Sequence, residues 1–384
     1  MAGILTVDTI QSDSSYASTL NVASKVNFTS GMQIGGQDTT FGGMRNRIIN
    51  GNMVIDQRNA GASVTILNSV TYDVDRWFGY SSTTSKFSLQ QSSVAPVGFT
   101  NSLLATSLSA YSVTSSDEMN ISQRIEGFNV ADLGWGTANA VTVTLSFWVR
   151  SSLTGTFGGS LYNSGNSRSY PFSYTISAAN TWEQKSITIA GDTSGTWLTT
   201  TGLGLGITIC LGAGSTRSGT AGAWASANLA SATGATSVVG TNGATFYITG
   251  VQLEKGSVAS AFENRQYGTE LALCQRYYEV GGNNAPTQIE GGGTNIWISI
   301  QYKINKRATP TIGLTSASNL ALRYYGTAGY AVTGAAFVTG YIGTTSAMVR
   351  YSGFSGLTTS AVMFTSGITD ASPNVDPFFI SAEL

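Results

Sequence analysis

An all-β architecture is predicted by three features of this sequence. Apolar and polar residues alternate at a period of two along several stretches. Glycine is abundant at 46 while proline numbers only 6, and charged residues make up just 10% of 384. Period-two alternation places successive side chains on opposite faces of a strand. A surface so poor in ions must be covered by Ser, Thr, Asn and Gly, which suits a chain that turns often and pairs its strands. The length exceeds one ordinary domain, so two folded units and a tail are expected. The order read from the sequence is an N-terminal extended arm (1–43), a jelly-roll β-sandwich (44–265), a short linking helix (266–280) and a C-terminal β-sandwich-like domain (281–384).

The arm shows Ile4, Thr6, Asp8 and Ile10, then Leu20, Val22, Val26 and Phe28, short strand signals joined by Ser, Asn and Gly. That is too little apolar surface to fold alone. The segment therefore suits pairing with another copy or another protein, the other reading being a loosely ordered terminus.

In the sandwich, Val141, Val143, Leu145, Phe147 and Val149 alternate with Thr142, Thr144, Ser146, Trp148 and Arg150, giving one apolar and one largely polar face. Leu203, Leu205, Ile207, Ile209 and Leu211 alternate with Gly202, Gly204, Gly206, Thr208 and Cys210. The GLGLGIT run lacks the third glycine and the following helix of a dinucleotide-binding loop, so its glycines belong to a strand and no cofactor is expected. Further strands are expected at Val64–Leu67, Trp77–Ser82, Phe87–Gln91, Glu118–Glu126, Phe172–Ile176 and Trp182–Ile189, which together suit an antiparallel sandwich. Residues 212–244, rich in Gly, Ala, Ser and Thr, read as a long loop.

The run TFYITGVQLEK then forms a strand with a bulge at Gly250, and a helix over Thr269–Tyr278 is predicted, with Thr269 as its cap and Glu270 facing the positive end of the helix dipole. Beyond it, Ile296, Ile298, Ile300, Tyr302 and Ile304 alternate with Trp297, Ser299, Gln301 and Lys303. A turn at Pro310 enters another strand, and Phe378, Phe379 and Ile380 form a last paired one.

Two motifs carry a family resemblance. The junction GVQLEKGSVASAFE followed by ELALCQRYY, and the segment RIINGNMVIDQRNAG followed by YDVDRW, resemble the end and the opening of a jelly-roll domain in tail-fibre and other virion-surface proteins of tailed bacteriophages. They frame roughly Arg47 to Tyr278. The resemblance implies a sandwich similar to carbohydrate-binding modules, a homotrimer, attachment to other virion proteins through residues 1–43, and a tail fibre or appendage that meets a host cell-surface glycan or protein. A capsid decoration or head fibre is the alternative it leaves open. A glycan depolymerase spike is a third reading, disfavoured because no long regular repeat is present.

Charge and residue counts exclude much else. A formal net charge of −1 offers no footprint for nucleic acid. The clusters Arg45/Arg47 and Lys303/Lys306/Arg307 read as solvated strand ends. No His is present, which removes the commonest metal ligand and general base. Cys210 and Cys274 fall in apolar patterns and read as buried thiols, not as a disulfide. The first residues lack a secretory pattern and no run suits a membrane span, so a soluble protein carried out only on a particle is expected.

No enzyme is expected either. Asp73 with Asp75, and Asp117 with Glu118, are the carboxylate pairs that glycoside hydrolysis could use. Beside Arg76, however, the first pair reads as a structural ion pair. Glu254 and Glu263 stand where related jelly rolls sometimes hold calcium. Salt bridges or solvated charges are the preferred reading, and no metal is assigned. Carbohydrate binding needs flat aromatic faces among neutral polar groups. Trp135 in LGWGT, Trp197 in SGTWL and Trp224 in GAWAS are candidates, each also suited to plug a core. Tyr324, Tyr325, Tyr330 and Tyr341 of the C-terminal domain form the second candidate surface, with β-sheet packing as the alternative for each.

Overall fold

The computed structural model describes residues 33–34, 37–38, 44–281, 285–290, 294–315, 320–324, 330–332, 336–353, 363–367 and 378–384. The chain divides into two units, Met1–Gly43 and Met44–Leu384. In the first, β1 (Gln33–Ile34) pairs antiparallel with β2 (Gln37–Asp38). The strand signals at residues 4–10 and 20–28 lie outside the described residues.

The second unit begins with β3 (Val64–Thr65), β4 (Thr71–Tyr72), β5 (Trp77–Ser81), β6 (Phe87–Ser92), β7 (Ser102–Ser107) and β8 (Glu118–Glu126). It continues through β9 (Val143–Ser151), β10 (Gly155–Tyr162), β11 (Ser169–Ile176), β12 (Glu183–Ile189) and β13 (Leu203–Ala213). The two-residue strands β14 (Ser218–Gly219) and β15 (Ser231–Ala232) come next, then β16 (Thr245–Lys255). Two six-stranded sheets result, ordered β11-β10-β13-β8-β5-β4 and β12-β9-β16-β7-β6-β3, with every pairing antiparallel. Their apolar faces meet in one core that includes Val143, Leu145, Phe147 and Val149 from one sheet and Leu205, Ile207, Ile209 and Leu211 from the other. This is the all-β sandwich that the alternation predicts.

Three of its strands, β4, β7 and β10, are not signalled by periodicity. In β10, GTFGGSLY, the core position between Phe157 and Leu161 is Gly159, and its partner across the ladder is Phe172. A Cβ on Gly159 would lie 2.4 Å from the Phe172 ring, so that ring occupies the space a side chain would need. Gly206 in β13 makes room in the same way for the Tyr162 ring. The segment read as a long loop carries the short parallel pair β14–β15, and its Ala225 bridges to Ser169.

The two resemblance motifs meet in space. Asn46 accepts N–H bonds from Ile48 and Leu253 and donates to Val251 O at 3.0 Å. Val251 N–H donates to Gly51 O at 2.9 Å. Asn50, with φ +57°, donates through its amide to Ile55 O and Asp75 O and receives the Trp77 indole N–H on its carbonyl. RIINGN, YDVDRW and GVQLE therefore form one hydrogen-bonded knot, with Trp77 fully buried inside it.

The linking helix α1 spans Tyr267–Gln275, two residues earlier at its start than predicted and three shorter at its end. Thr269 lies inside the first turn, and Gln266 precedes the helix without a side-chain cap. Glu270 supplies the negative charge in that turn. It accepts the Asn50 N–H at 2.5 Å and pairs with Arg265 at 3.2 Å. The end is set by Glu126, which grips Arg276 through two bonds of 2.9 and 2.7 Å and accepts the Tyr277 hydroxyl at 2.8 Å. Those bonds hold the Glu126 carboxyl below the usual range against the opposing effect of burial. Cys274 and Leu271 pack on Ile49, Ile55 and Tyr277 of the same chain. Cys210 and Cys274 are free thiols.

The C-terminal module comprises β17 (Tyr278–Gly281), β18 (Pro286–Ile289), β19 (Asn295–Gln301), β20 (Thr311–Leu314), β21 (Leu320–Tyr324) and β22 (Tyr330–Val332). It is completed by β23 (Ala336–Ile342), β24 (Ser346–Ser352), β25 (Met363–Gly367) and β26 (Phe378–Ser381). A three-stranded sheet, β17-β26-β20, packs Ile312, Phe378 and Ile380 against Ile296, Ile298, Val349 and Tyr351 of the seven-stranded sheet β22-β21-β25-β18-β19-β24-β23. Of the basic clusters, Arg45 and Lys303 are exposed, as expected of strand ends, whereas Arg47, Lys306 and Arg307 are half-buried or buried. Lys306 is buried beside Glu279 at 2.8 Å, and Arg307 donates to Thr201, Ala382 and Glu383 carbonyls. Arg45 pairs with Glu254 and Arg47 with Asp132, because strand-end cations here close the gaps between segments.

Candidate functional site

The structure brings Trp135, Trp197 and Trp224 together. Their ring centroids lie 4.9, 5.3 and 5.4 Å apart, and the rings stand nearly perpendicular, at 82°, 78° and 80°. Each indole N–H donates to a backbone carbonyl: Trp135 to Val141 at 2.8 Å, Trp197 to Ser194 at 3.1 Å and Trp224 to Ala190 at 2.7 Å. Edge-to-face contact is the favoured geometry for such rings and adds about 0.5–1.5 kcal/mol per pair. The trio therefore fastens three loops, and each ring spends an edge or a face on its neighbours. Beside it, Val130, Leu133, Trp135, Trp197 and Leu198 line an apolar pocket of about 180 Å³.

A second aromatic group, which the candidate residues read from sequence did not include, occupies the outer face of β12-β9-β16-β7-β6-β3. On β9 the residues facing away from the core are Thr144, Ser146, Trp148 and Arg150. In the ladders Trp148 stands between Gln184 and Thr249, while Tyr247 stands between Arg150 and Leu104, with Gln90 beyond. Trp182, just before β12, meets Tyr247 edge-on at 6.1 Å. The Arg150 guanidinium lies 5.0 Å from the Tyr247 centroid and donates to Asn180 O, so it is held over the face. Trp148, Trp182 and Tyr247 are all half-buried, with Gln184 exposed beside them. The bulge between Thr249 and Gln252 shapes this face. Gly250 has φ +60°, and a Cβ there would lie 2.6 Å from Phe99 and 3.1 Å from Trp148. The signal for this group was already visible as an aromatic residue, Trp148, among the polar positions of an alternating strand.

Asp75, Glu254 and Glu263 take part in salt bridges, in line with the preferred reading, although Asp75 finds its partner outside the motif. Arg76 pairs with Glu383, and Asp75 with Arg58 at 3.5 Å, so the ion pairs of YDVDRW reach distant segments instead of closing within the motif. Asp73 and Asp75 are fully buried behind the surface. Burial raises Asp75 to about 6, against the opposing pull of Arg58 and Gln57. Burial, reinforced by Asp56, raises Asp73 to about 7. Asp117 would be raised by burial, but bonds from Thr114, Ser82 and Tyr111 hold it at about 2. Glu118 is raised by burial, countered by Arg217 at 2.9 Å. Glu254 accepts from Ser260 and Gln252, and Glu263 from the Arg45 and Asn46 N–H groups, so both fasten the chain around β16. No cluster of three metal-ligating side chains occurs among the described residues.

Of the tyrosines, Tyr325 lies outside the described residues. Tyr324 and Tyr330 are placed by backbone alone, on β21 and β22. Tyr341 stands on the outer face of β23 and is 77% exposed.

The fold and this face define a β-sandwich with an aromatic and polar sheet surface. Neither a family model nor a curated protein matches the sequence. Among solved structures, the chain is similar to a tailspike domain of bacteriophage CBA120 (12% identity, 55% of this chain, TM-score 0.31), of which the match spans only 21%. It is also similar to a family 11 carbohydrate-binding module of Clostridium thermocellum (12% identity, 52% of this chain and 98% of the module, TM-score 0.26). A third is a tandem pair of family 22 modules from Paenibacillus barcinonensis (9% identity, 85% and 99% covered, TM-score 0.24). Likenesses at scores this low establish no function for this chain.

Proposed function

We propose that this chain is a glycan-binding structural protein of a tailed-phage virion, a homotrimeric tail fibre or tail appendage that meets host surface glycans. The observation that carries the glycan part is the outer face of β12-β9-β16-β7-β6-β3, where Trp148, Tyr247 and Trp182 stand partly open among Gln184, Gln90 and Arg150. Aromatic faces take the C–H side of a pyranose, and amide and guanidinium groups take its hydroxyls. The Trp182 and Tyr247 rings, inclined to each other at 67°, form a corner that would hold one sugar on two sides. The virion part rests on the two motifs of the resemblance and on the ion-poor, glycine-rich composition. Binding without bond cleavage is the proposed activity, in keeping with carboxylates that are buried or tied into hydrogen bonds.

The test is the affinity of the full chain for purified host surface polysaccharide, compared with Trp148→Ala and Tyr247→Ala. At least a tenfold loss in each, about 1.4 kcal/mol, is expected with the thermal transition retained. Unchanged affinity in both variants refutes the site.

A further inference from the structure

The outward side of the seven-stranded sheet carries a second aromatic surface. Ile296, Ile298 and Ile300 of β19 and Ala347, Val349 and Tyr351 of β24 point into the core. Their alternates, Trp297, Ser299 and Gln301 on β19 and Met348 and Arg350 on β24, therefore face outward. Register places Trp297 between Gln288 and Arg350, and Met348 between Ser299 and Tyr341. Trp297 and Tyr341 reach toward each other across β24, with centroids 6.0 Å apart and planes only 19° apart. The two rings are stacked, and with Tyr341 77% exposed the side of its ring turned away from Trp297 is left open. Met348 is 41% exposed and Val338 43% exposed, so the surface continues around the pair.

The electrostatics narrow what such a surface would accept. Its one outward cation, Arg350 among the described residues of β19 and β24, is paired with Glu290 through Nε at 2.9 Å. The remaining polar groups named here, Gln288, Ser299 and Gln301, are neutral. A polyanion would meet an already neutralised cation, whereas a neutral pyranoside would meet aromatic faces and uncharged donors and acceptors.

We infer that the Trp297–Tyr341 face is a second binding site, specific for neutral glycan, on a different module from the Trp148 face. The ligand class rests on the reading proposed above; the site does not. A chain with two such sites gains in surface retention through effective concentration, without any new contact.

The experiment is calorimetric titration of the full chain with three neutral hexasaccharides, cellohexaose, maltohexaose and laminarihexaose, using wild type, Tyr341→Ala and Trp148→Ala. Tyr341 is exposed enough that its truncation leaves the core intact. The expected result is two equivalents bound per chain by wild type and one by each variant, with at least tenfold faster release of Tyr341→Ala from a surface dense in the same sugar. One equivalent in wild type, lost in Trp148→Ala and retained in Tyr341→Ala, overturns the second site and leaves the first standing. One equivalent lost only in Tyr341→Ala overturns the first and supports the second. Binding of none of the three sugars overturns the neutral-glycan assignment, and binding of an anionic oligosaccharide at Tyr341 would do the same.

Discussion

Asp73 is the residue whose removal should change this protein most legibly. Its side chain is fully buried, and neither carboxylate oxygen has a hydrogen-bond partner among the described residues. Burial first, and the nearby Asp56 second, raise it from 3.8 to about 7. In the unfolded chain it returns to the ordinary carboxylate value. The folded state therefore holds a proton that the unfolded state has lost across the window from about pH 4 to about pH 7. Stability from this group is fully present below the lower value and is lost as pH rises through the upper one. The rise from 3.8 to about 7 corresponds to roughly 4 kcal/mol. Asp73→Asn keeps the shape and abolishes the titration. Urea unfolding of the sandwich, followed by tryptophan fluorescence between pH 5 and pH 8.5, reads the difference. The variant should match wild type within about 1–2 kcal/mol at pH 5 and exceed it by a few kcal/mol at pH 8. Asp75, raised to about 6, titrates in the same window in both proteins, so it largely cancels in the comparison. Parallel pH profiles for the two proteins would refute the reasoning, because an uncompensated buried carboxylate cannot be indifferent to pH.

Two further perturbations act on the framework of the sites. Lys306→Met should destabilise the joint between α1 and the C-terminal module by about 3–5 kcal/mol, since it leaves Glu279 charged and buried without its ammonium partner at 2.8 Å. Glu279→Gln combined with Lys306→Met should recover much of that loss in the same urea titration, and failure to recover would show that the cost is packing. Gly250→Ala should cost about 1–3 kcal/mol, because φ +60° disfavours any side chain and the new Cβ meets Phe99. It should also weaken glycan binding at the neighbouring Trp148; an unchanged melting temperature would show that the bulge relaxes freely.

Much of the architecture was legible because strand alternation is a local property. Val143 to Val149 and Leu203 to Leu211 announce their apolar faces residue by residue, and Glu118–Glu126 appears with the predicted bounds. Strands such as β10 escape that logic, since Gly159 is completed by a ring from Phe172 that periodicity cannot see. The start of α1 was misplaced for a related reason. Its first turn is anchored by Glu270 to Asn50, some 220 residues away in sequence. At the candidate sites, residue type pointed to aromatics in general, and geometry separated them. Trp135, Trp197 and Trp224 pack edge-to-face on one another, with Trp135 buried and the other two half-buried, while Trp148 and Tyr247, half-buried as well, stand on the outer face of a sheet.

The sequence by itself determined an all-β chain with few ions, two buried free thiols and a short helix. These follow from composition and from side-chain period, which each segment carries within itself. Only the tertiary structure decided which partner each charge takes, which tryptophans pack on one another, and that RIINGN, YDVDRW and GVQLE form one knot. Those outcomes depend on register between strands far apart in the chain, and register is a property of the pairing, settled only when every strand has found its neighbour.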